Sequence, residues 1–168
     1  CQQESDQKMT EIIVGIDPDT VRSGICIYRD HELSAEALPF PQLLEKLYLL
    51  ATLPGDVLVV VEAGWLNEKS NYHDPKGVRA QKIAKNVGSN HQTGKHIVEM
   101  AKHYGLEVIE QKPFNKGWKG RDGKITHEEL NYILQYNGLD PIKRCNQDVR
   151  DAVLLVAIHA KLKIKVKA

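Results

Sequence analysis

The sequence predicts an α/β fold with a mixed five-stranded sheet, whose first three strands form an antiparallel meander and whose helices lie on both faces. Three observations predict it. Short apolar runs of strand length alternate with longer stretches in which apolar residues recur every three or four positions. The first three candidate strands follow one another without a helix between them. The later candidate strands are each separated by a helical stretch, and such connections are typical of α/β folds.

Three candidate strands occupy the N-terminal part of the chain. Residues 11–16 are apolar at nearly every position, which is typical of a central strand buried on both faces. Residues 23–29 follow after a turn-rich tetrapeptide. A weaker candidate at 31–37 completes the meander.

A helix and a fourth strand follow the meander. Pro41 suits the first residue of a helix that ends near Thr52, because proline lacks an N–H group that would have no partner there. The apolar face of this helix holds Leu43, Leu44, Leu47 and Leu50. Residues 57–62 form the next strand after a Pro-Gly-Asp turn.

The second half of the chain begins with a long helical stretch from about Val78 to Tyr104. Gly88 and Gly94 interrupt its pattern, and they predict a bend or a close backbone approach. Residues 106–110 form the fifth strand, and a long loop rich in glycine and lysine comes after it.

The last two helices are marked by their N-terminal caps. Thr126 with Glu129 three residues later is a capping-box signature, which opens a helix to about Tyr136. Asn146 is a favourable N-cap for a final helix over 147–162.

Length and composition predict one globular domain, residues 9–168. The polar residues 1–8 are interpreted as a tag remnant or a loose tail. The 42% hydrophobic and 27% charged composition is ordinary, and no apolar stretch is long enough to span a bilayer. Cys1, Cys26 and Cys145 lack the spacing of a metal or disulfide framework, which favours a reducing, cytoplasmic location. A lipid-modified Cys1 of an exported protein is the alternative.

The net charge of +1 conceals an uneven distribution. Residues 1–68 hold 4 Lys/Arg and 12 Asp/Glu, a net charge of −8, whereas residues 69–168 hold 19 Lys/Arg and 10 Asp/Glu, a net charge of +9. This division suits a protein that binds a polyanion with one part and holds cations with another. Chance and solvated helix faces explain the charge alone equally well.

Four acidic residues stand where the surrounding sequence is apolar. Asp17 and Glu62 each end an apolar run predicted to be a strand. Asp148 and Asp151 lie three residues apart on one face of the last helix. A carboxylate at the end of a buried strand is costly unless it is paired. The four together favour a hard cation such as Mg²⁺.

Such a site suits phosphodiester hydrolysis, which needs an activated water, in-line attack and a stabilised leaving oxygen. Two Mg²⁺ ions roughly 3.5–4 Å apart supply all three. Asp17, on the central strand, is the natural bridging ligand. Glu62 would hold one ion, and the pair on the last helix would hold the other.

Each carboxylate also has a simpler explanation. Asp17 precedes a proline and could start a turn, and Glu62 could be an ordinary charge at a strand end. Asp148 and Asp151 interact favourably with the helix dipole, by roughly 0.3–1 kcal/mol each. The joint occurrence of all four in one order is what favours the metal site.

A second candidate surface is basic and aromatic. Five cations of the loop 112–124 surround Phe114 and Trp118 in sequence: Lys112, Lys116, Lys119, Arg121 and Lys124. Cations neutralise phosphates, and aromatic rings stack on unpaired bases. Four further cations recur along one face of the long helix: Lys76, Arg79, Lys82 and Lys85. A solvated loop with its rings packed on the core, and an ordinary exposed helix face, are the alternatives.

The element order is that of the ribonuclease-H-like fold, and three motifs point to one family within it. The segment Gly15-Ile16-Asp17-Pro18-Asp19-Thr20-x-x-Ser23-Gly24 resembles the opening motif of RuvC-type Holliday-junction resolvases. Val59-Val60-Val61-Glu62, with Trp65 three residues later, resembles the second motif. Asp148-x-x-Asp151-Ala152 resembles the third. The resemblance covers about residues 11 to 162.

The resemblance implies a metal-dependent endonuclease of branched DNA, usually a homodimer, that uses Mg²⁺ with Mn²⁺ as a possible substitute. It implies that Asp17, Glu62, Asp148 and Asp151 bind the metal and act in catalysis. Trp65 falls where the family often has an aromatic residue that contacts bases. The chain departs from the family at Asp19, which replaces a glycine, and at His127, where a lysine is expected.

Two other functions stay open. An RNA-processing nuclease of the same superfamily has a similar opening motif. A non-catalytic nucleic-acid-binding module with relict carboxylates is the other. Sugar kinases and actin-like ATPases also open with a Gly-Ile-Asp strand turn, but they need two such domains and 168 residues are too few.

Overall fold

A computed structural model describes residues 11–67, 78–115 and 117–165. The described strands are β1 (Glu11–Asp17), β2 (Ser23–Arg29), β3 (Glu32–Leu38), β4 (Asp56–Glu62) and β5 (Glu107–Gln111). The described helices are α1 (Phe40–Ala51), α2 (Val78–His103), α3 (His127–Tyr136) and α4 (Gln147–His159). None of these helices is long and apolar enough to cross a membrane. The predicted tail, residues 1–8, lies outside the described residues.

The five strands form one mixed sheet in the order β3-β2-β1-β4-β5. β1 is central: it pairs antiparallel with β2 and parallel with β4, and Ile16 lies opposite Val61. β5 continues the sheet parallel to β4. The predicted sheet, including the antiparallel meander of β1, β2 and β3, is confirmed. The carboxyl ends of β1 and β4 therefore meet at one edge of the sheet.

Helices cover both faces of the sheet, as predicted. Ile12, Val14 and Ile16 of β1 point to the face covered by α1 and α2. Ile13 points to the opposite face, which α3 and α4 cover. This alternation is the period-two pattern of a strand buried on both sides. It explains why β1 is apolar at nearly every position.

The cap residues begin α3 and α4 as predicted. The Thr126 side chain accepts a hydrogen bond from the Glu129 N–H, and the Glu129 carboxylate accepts one from the Thr126 N–H. The Asn146 side chain accepts a hydrogen bond from the Val149 N–H. The buried Glu129 carboxylate also accepts from the Lys119 N–H at 3.0 Å, so the capping box fixes the loop that precedes α3.

The end of α4 and one of the two glycines of α2 differ from the sequence-based prediction. α4 ends at His159 rather than 162, because Lys161 adopts a left-handed conformation (φ 56°). The N–H of Leu162 then closes the end of the helix on the carbonyl of Ala157 at 2.9 Å. α2 runs through Gly88 and Gly94 as one helix. Only Gly94 marks a close approach, since an added Cβ would overlap the Trp65 ring, whereas one at Gly88 would meet nothing within 4 Å.

Candidate active site

Three of the four predicted carboxylates converge at the carboxyl edge of the sheet. Asp17 ends β1, Glu62 ends β4, and Asp151 projects from α4. Each offers one oxygen, and these three oxygens lie within 4.8 Å of one another. All three residues are partly buried. We refer to them below as the acidic triad.

Glycine on β2 allows α4 to come close enough to supply Asp151. A Cβ on Gly24 would overlap the backbone carbonyl of Asp148. Gly15 of β1 makes a similar approach to the carbonyl of Ala152. The first turns of α4 therefore rest directly on the backbone of β1 and β2. This contact sets Asp151 over the end of the central strand.

Asp148 lies beside the acidic triad but is not a member of it. It sits one helical turn before Asp151, and a step of three residues moves a side chain about 4.5 Å along the axis. Burial raises the pKa of Asp148, and the charges of Asp19 and Asp151 raise it further, whereas Lys124 lowers it. The charge of Asp19 therefore acts on Asp148 together with that of the triad.

The acidic triad carries an excess of negative charge. Burial raises the pKa of Asp17 well above its usual range, and the carboxylates of Glu62, Asp151 and Asp148 raise it further. Lys124 opposes this shift. Carboxylates held this close to one another repel when ionised. The group is thus arranged to be stabilised by an added cation.

Among the residues that the structure describes, Lys124 and Gln147 hold the Asp151 carboxylate. The Lys124 ammonium lies 3.2 Å from its Oδ2, and the Gln147 amide donates to its Oδ1 at 2.7 Å. Gln147 in turn accepts a hydrogen bond from Arg150 at 2.8 Å. Burial alone would lower the pKa of Lys124, but the neighbouring carboxylates raise it overall. Lys124 therefore stays protonated and belongs to the acidic site, although the sequence placed it with the phosphate-binding loop.

The predicted nucleic-acid contacts are exposed wherever the structure describes them, apart from Lys124 and the two tryptophans. The exposed cations are Lys112, Lys119 and Arg121 in the loop and Arg79, Lys82 and Lys85 on α2. Lys76 and Lys116 lie outside the described residues. The basic face of α2 thus remains a predicted phosphate-binding surface.

Both tryptophans are partly buried. Trp65 donates its indole N–H to Glu110 at 3.0 Å, and its ring packs edge-on against His91 with 6.2 Å between centroids. Trp118 packs against the core beneath α3 and α4. Their base contacts stay predictions, and any such contact would use the exposed part of a ring that the fold already holds in place.

Sequence reasoning missed two residues that position the site. Gln147 lies four residues before Asp151, and that spacing placed both on one helix face. Asn90 lies in the middle of α2, and nothing local marked it. Its carbonyl oxygen accepts from the Thr20 N–H at 3.1 Å, and its amide donates to Asp19 at 3.4 Å. Asn90 thereby fixes the loop after Asp17 to α2.

The raised pKa of Asp17 predicts how stability depends on pH without metal. The folded protein binds this proton more tightly than the unfolded chain does. Binding of this proton therefore stabilises the folded protein below the usual aspartate pKa. That contribution is lost as the pH rises through the raised pKa of Asp17. We expect Asp17→Asn, without divalent metal, to melt at a higher temperature than wild type at pH 7. Thermal denaturation monitored by circular dichroism should show this gap closing near pH 4, and a constant gap would contradict the assignment.

Comparison with known proteins supports the fold through structure rather than sequence. No protein-family model matches the chain, and no curated protein matches it. The structure is similar to that of Thermus thermophilus RuvC in complex with a Holliday junction substrate, with a TM-score of 0.50 and 15% identity over 89% of this chain and 92% of that chain. A second Thermus thermophilus RuvC structure gives a TM-score of 0.45 and 19% identity over 89% and 93%. The chain has the ribonuclease-H-like fold of RuvC.

Proposed function

We propose that this protein is a divalent-metal-dependent endonuclease that hydrolyses phosphodiesters in branched DNA, with the four-way junction as its substrate. The observation that carries the proposal is the acidic triad, whose oxygens lie within 4.8 Å of one another at the carboxyl edge of the sheet. The similar RuvC structure is a complex with a Holliday junction. The three sequence motifs fall on the same strands and helix as the triad.

The donor set of the triad fits Mg²⁺, with Mn²⁺ as a substitute. All three donors are carboxylate oxygens, which hard divalent cations prefer. Burial and, after it, repulsion by the neighbouring carboxylates raise the pKa of Asp17, and a bound cation would relieve that repulsion. Asp148, which lies beside the triad, would hold a second ion together with Asp151. Bound Mg²⁺ would supply Lewis acidity and an activated water.

The surrounding side chains would position the reacting groups. The hydrogen bond from Gln147 to one oxygen of Asp151 fixes the orientation of that carboxylate. The Lys124 side chain is 42% exposed, so its ammonium can reach a phosphate oxygen while it remains next to Asp151. A fixed positive charge at that place would stabilise the charge that develops on the phosphate during hydrolysis.

Lys124→Gln should lower the cleavage rate by roughly 100-fold, because loss of one preorganised group that stabilises transition-state charge typically costs that much. Lys46→Gln is the matched control and should retain activity, because Lys46 lies on α1, across the sheet from α4, and pairs with Glu36. Single-turnover cleavage of a labelled junction at saturating Mg²⁺ measures both. Equal rates in the two variants would remove Lys124 from the reaction.

DNA binding and dimerisation are also part of the proposed function. The exposed cations of α2 and of the loop before α3 would bind phosphates on either side of the site, and Trp65 and Trp118 would contact bases. We propose a homodimer, because paired strands of a junction are cut by paired sites. A cytoplasmic location is part of the same proposal and rests on the cysteine pattern.

The test is cleavage of a labelled four-way DNA junction with and without Mg²⁺, beside a matched DNA duplex and a structured RNA. We expect paired nicks in the junction alone, and only with metal. Cleavage of the RNA alone would assign the chain to RNA processing. Tight junction binding without cleavage in Mg²⁺ or Mn²⁺ would make it a binding module.

A further inference from the structure

A small cavity adjoins the acidic triad on the side of the loop before α3. Its volume is about 70 Å³, which equals roughly two waters at their volume in the liquid. Its lining includes the charged residues Glu62, Asp151 and Lys124, and it also includes Phe114, Asn115 and Trp118. The cavity thus joins the charged site to an aromatic wall.

The aromatic wall is part of the folded core rather than a surface platform. Phe114 and Trp118 both pack against the core beneath α3 and α4. The backbone N–H of Trp118 donates to the Gly123 carbonyl at 3.0 Å, and the backbone N–H of Lys119 donates to the buried Glu129 carboxylate. The wall is therefore formed before any ligand arrives.

The charged and the aromatic lining residues match the two chemical parts of a nucleotide. The carboxylates and Lys124 suit a phosphate with its counter-ions, as the proposed function requires. The rings of Phe114 and Trp118 suit the flat, weakly polar surface of a base. Asn115 is exposed at the rim, so the opening reaches solvent. The volume admits the edge of a base but not a complete nucleoside.

We propose that this cavity receives the edge of the nucleobase next to the scissile phosphate. The inference rests on the proposed function and adds a specificity-determining role for Phe114 and Trp118. A base can enter only after it leaves its stack and its pair, and unstacking costs a few kcal/mol unless the base is already unpaired. The cavity would therefore select a nucleotide at or beside a branch point, where pairing is weakest.

The test combines removal of single bases with a change in the aromatic wall. Junctions with one abasic site, moved in turn through the nucleotides around the branch point, are titrated with Asp17→Asn protein in Mg²⁺. We expect one position at which loss of the base weakens binding roughly tenfold, as one base–aromatic stack would. At that position Phe114→Leu, added to Asp17→Asn, should weaken binding of the intact junction but not of the abasic one.

Tyr48→Leu is the matched control, because Tyr48 is an aromatic residue 57% exposed on α1, on the opposite face of the sheet. It should leave the abasic profile unchanged. The inference would be overturned if the affinity of the Asp17→Asn protein did not depend on the position of the abasic site. It would also be overturned if Phe114→Leu weakened binding of the intact and the abasic junction equally. The abasic series is measured on protein that keeps the native aromatic wall, so misfolding of the Phe114→Leu variant cannot produce a flat profile. Cleavage by the wild-type protein is read separately, so failure of the nuclease proposal is distinguishable from failure of the cavity.

Discussion

Asp17→Asn should abolish junction cleavage, by at least roughly 1,000-fold, while junction binding stays within about threefold of wild type. Asp17 ends the central strand and forms the triad with Glu62 of β4 and Asp151 of α4. The amide has nearly the same shape but carries no charge, so the fold is kept and the cation site is lost. Single-turnover cleavage and a binding titration on the same labelled junction measure the two effects.

The control for this change is Asp56→Asn. Asp56 is an exposed acid at the opposite end of β4 from Glu62, so its loss alters the total charge equally without touching the triad. It should cleave at the wild-type rate. Wild-type cleavage by Asp17→Asn would show that the triad is not the catalytic site. Parallel loss of binding would show that Asp17 acts through the fold.

Gly24→Ala should lower the free energy of unfolding by about 3 kcal/mol, at the upper end of typical costs of overpacking. The added Cβ would overlap the backbone of Asp148 and Val149, and backbone cannot rotate away as a side chain can. α4 would have to move off the sheet and carry Asp151 with it. Urea denaturation measures the stability, and the cleavage rate should fall in the fraction that remains folded.

Gly88→Ala is the same substitution at a glycine where we expect the opposite effect on stability. Gly88 is exposed inside α2, and a Cβ there would meet nothing within 4 Å. Alanine should stabilise the helix by about 1 kcal/mol, because glycine is a poor helix former. If Gly24→Ala were as stable as wild type, that result would show that α4 does not pack closely on β2 at Gly24.

The elements that the sequence predicts well are those set by local chemistry. Unbroken apolar runs identify β1 and β4, and the caps at Thr126 and Asn146 locate the starts of α3 and α4. Because the carboxyl ends of two parallel neighbours meet, the convergence of Asp17 and Glu62 follows once the sheet is known. The resemblance to RuvC-type motifs adds Asp151 from the far end of the chain.

The parts that the sequence does not predict depend on tertiary contacts. Lys124 appears as one of several loop cations, and only packing of the loop on α3 shows that it meets Asp151. Asp148 and Asp151 are equivalent in the motif, whereas the structure places Asp151 rather than Asp148 in the triad. Asn90 contacts the loop after Asp17 across about seventy residues, a distance that no local pattern records.

The most direct test of the central claim is to locate bound metal in crystals of the wild-type protein soaked in Mn²⁺, by anomalous diffraction. We expect a peak bounded by the oxygens of Asp17, Glu62 and Asp151, and no peak there in crystals of Asp17→Asn treated in the same way. A wild-type map with no peak at the triad, at Mn²⁺ concentrations that support junction cleavage, would show that the triad is not the metal site.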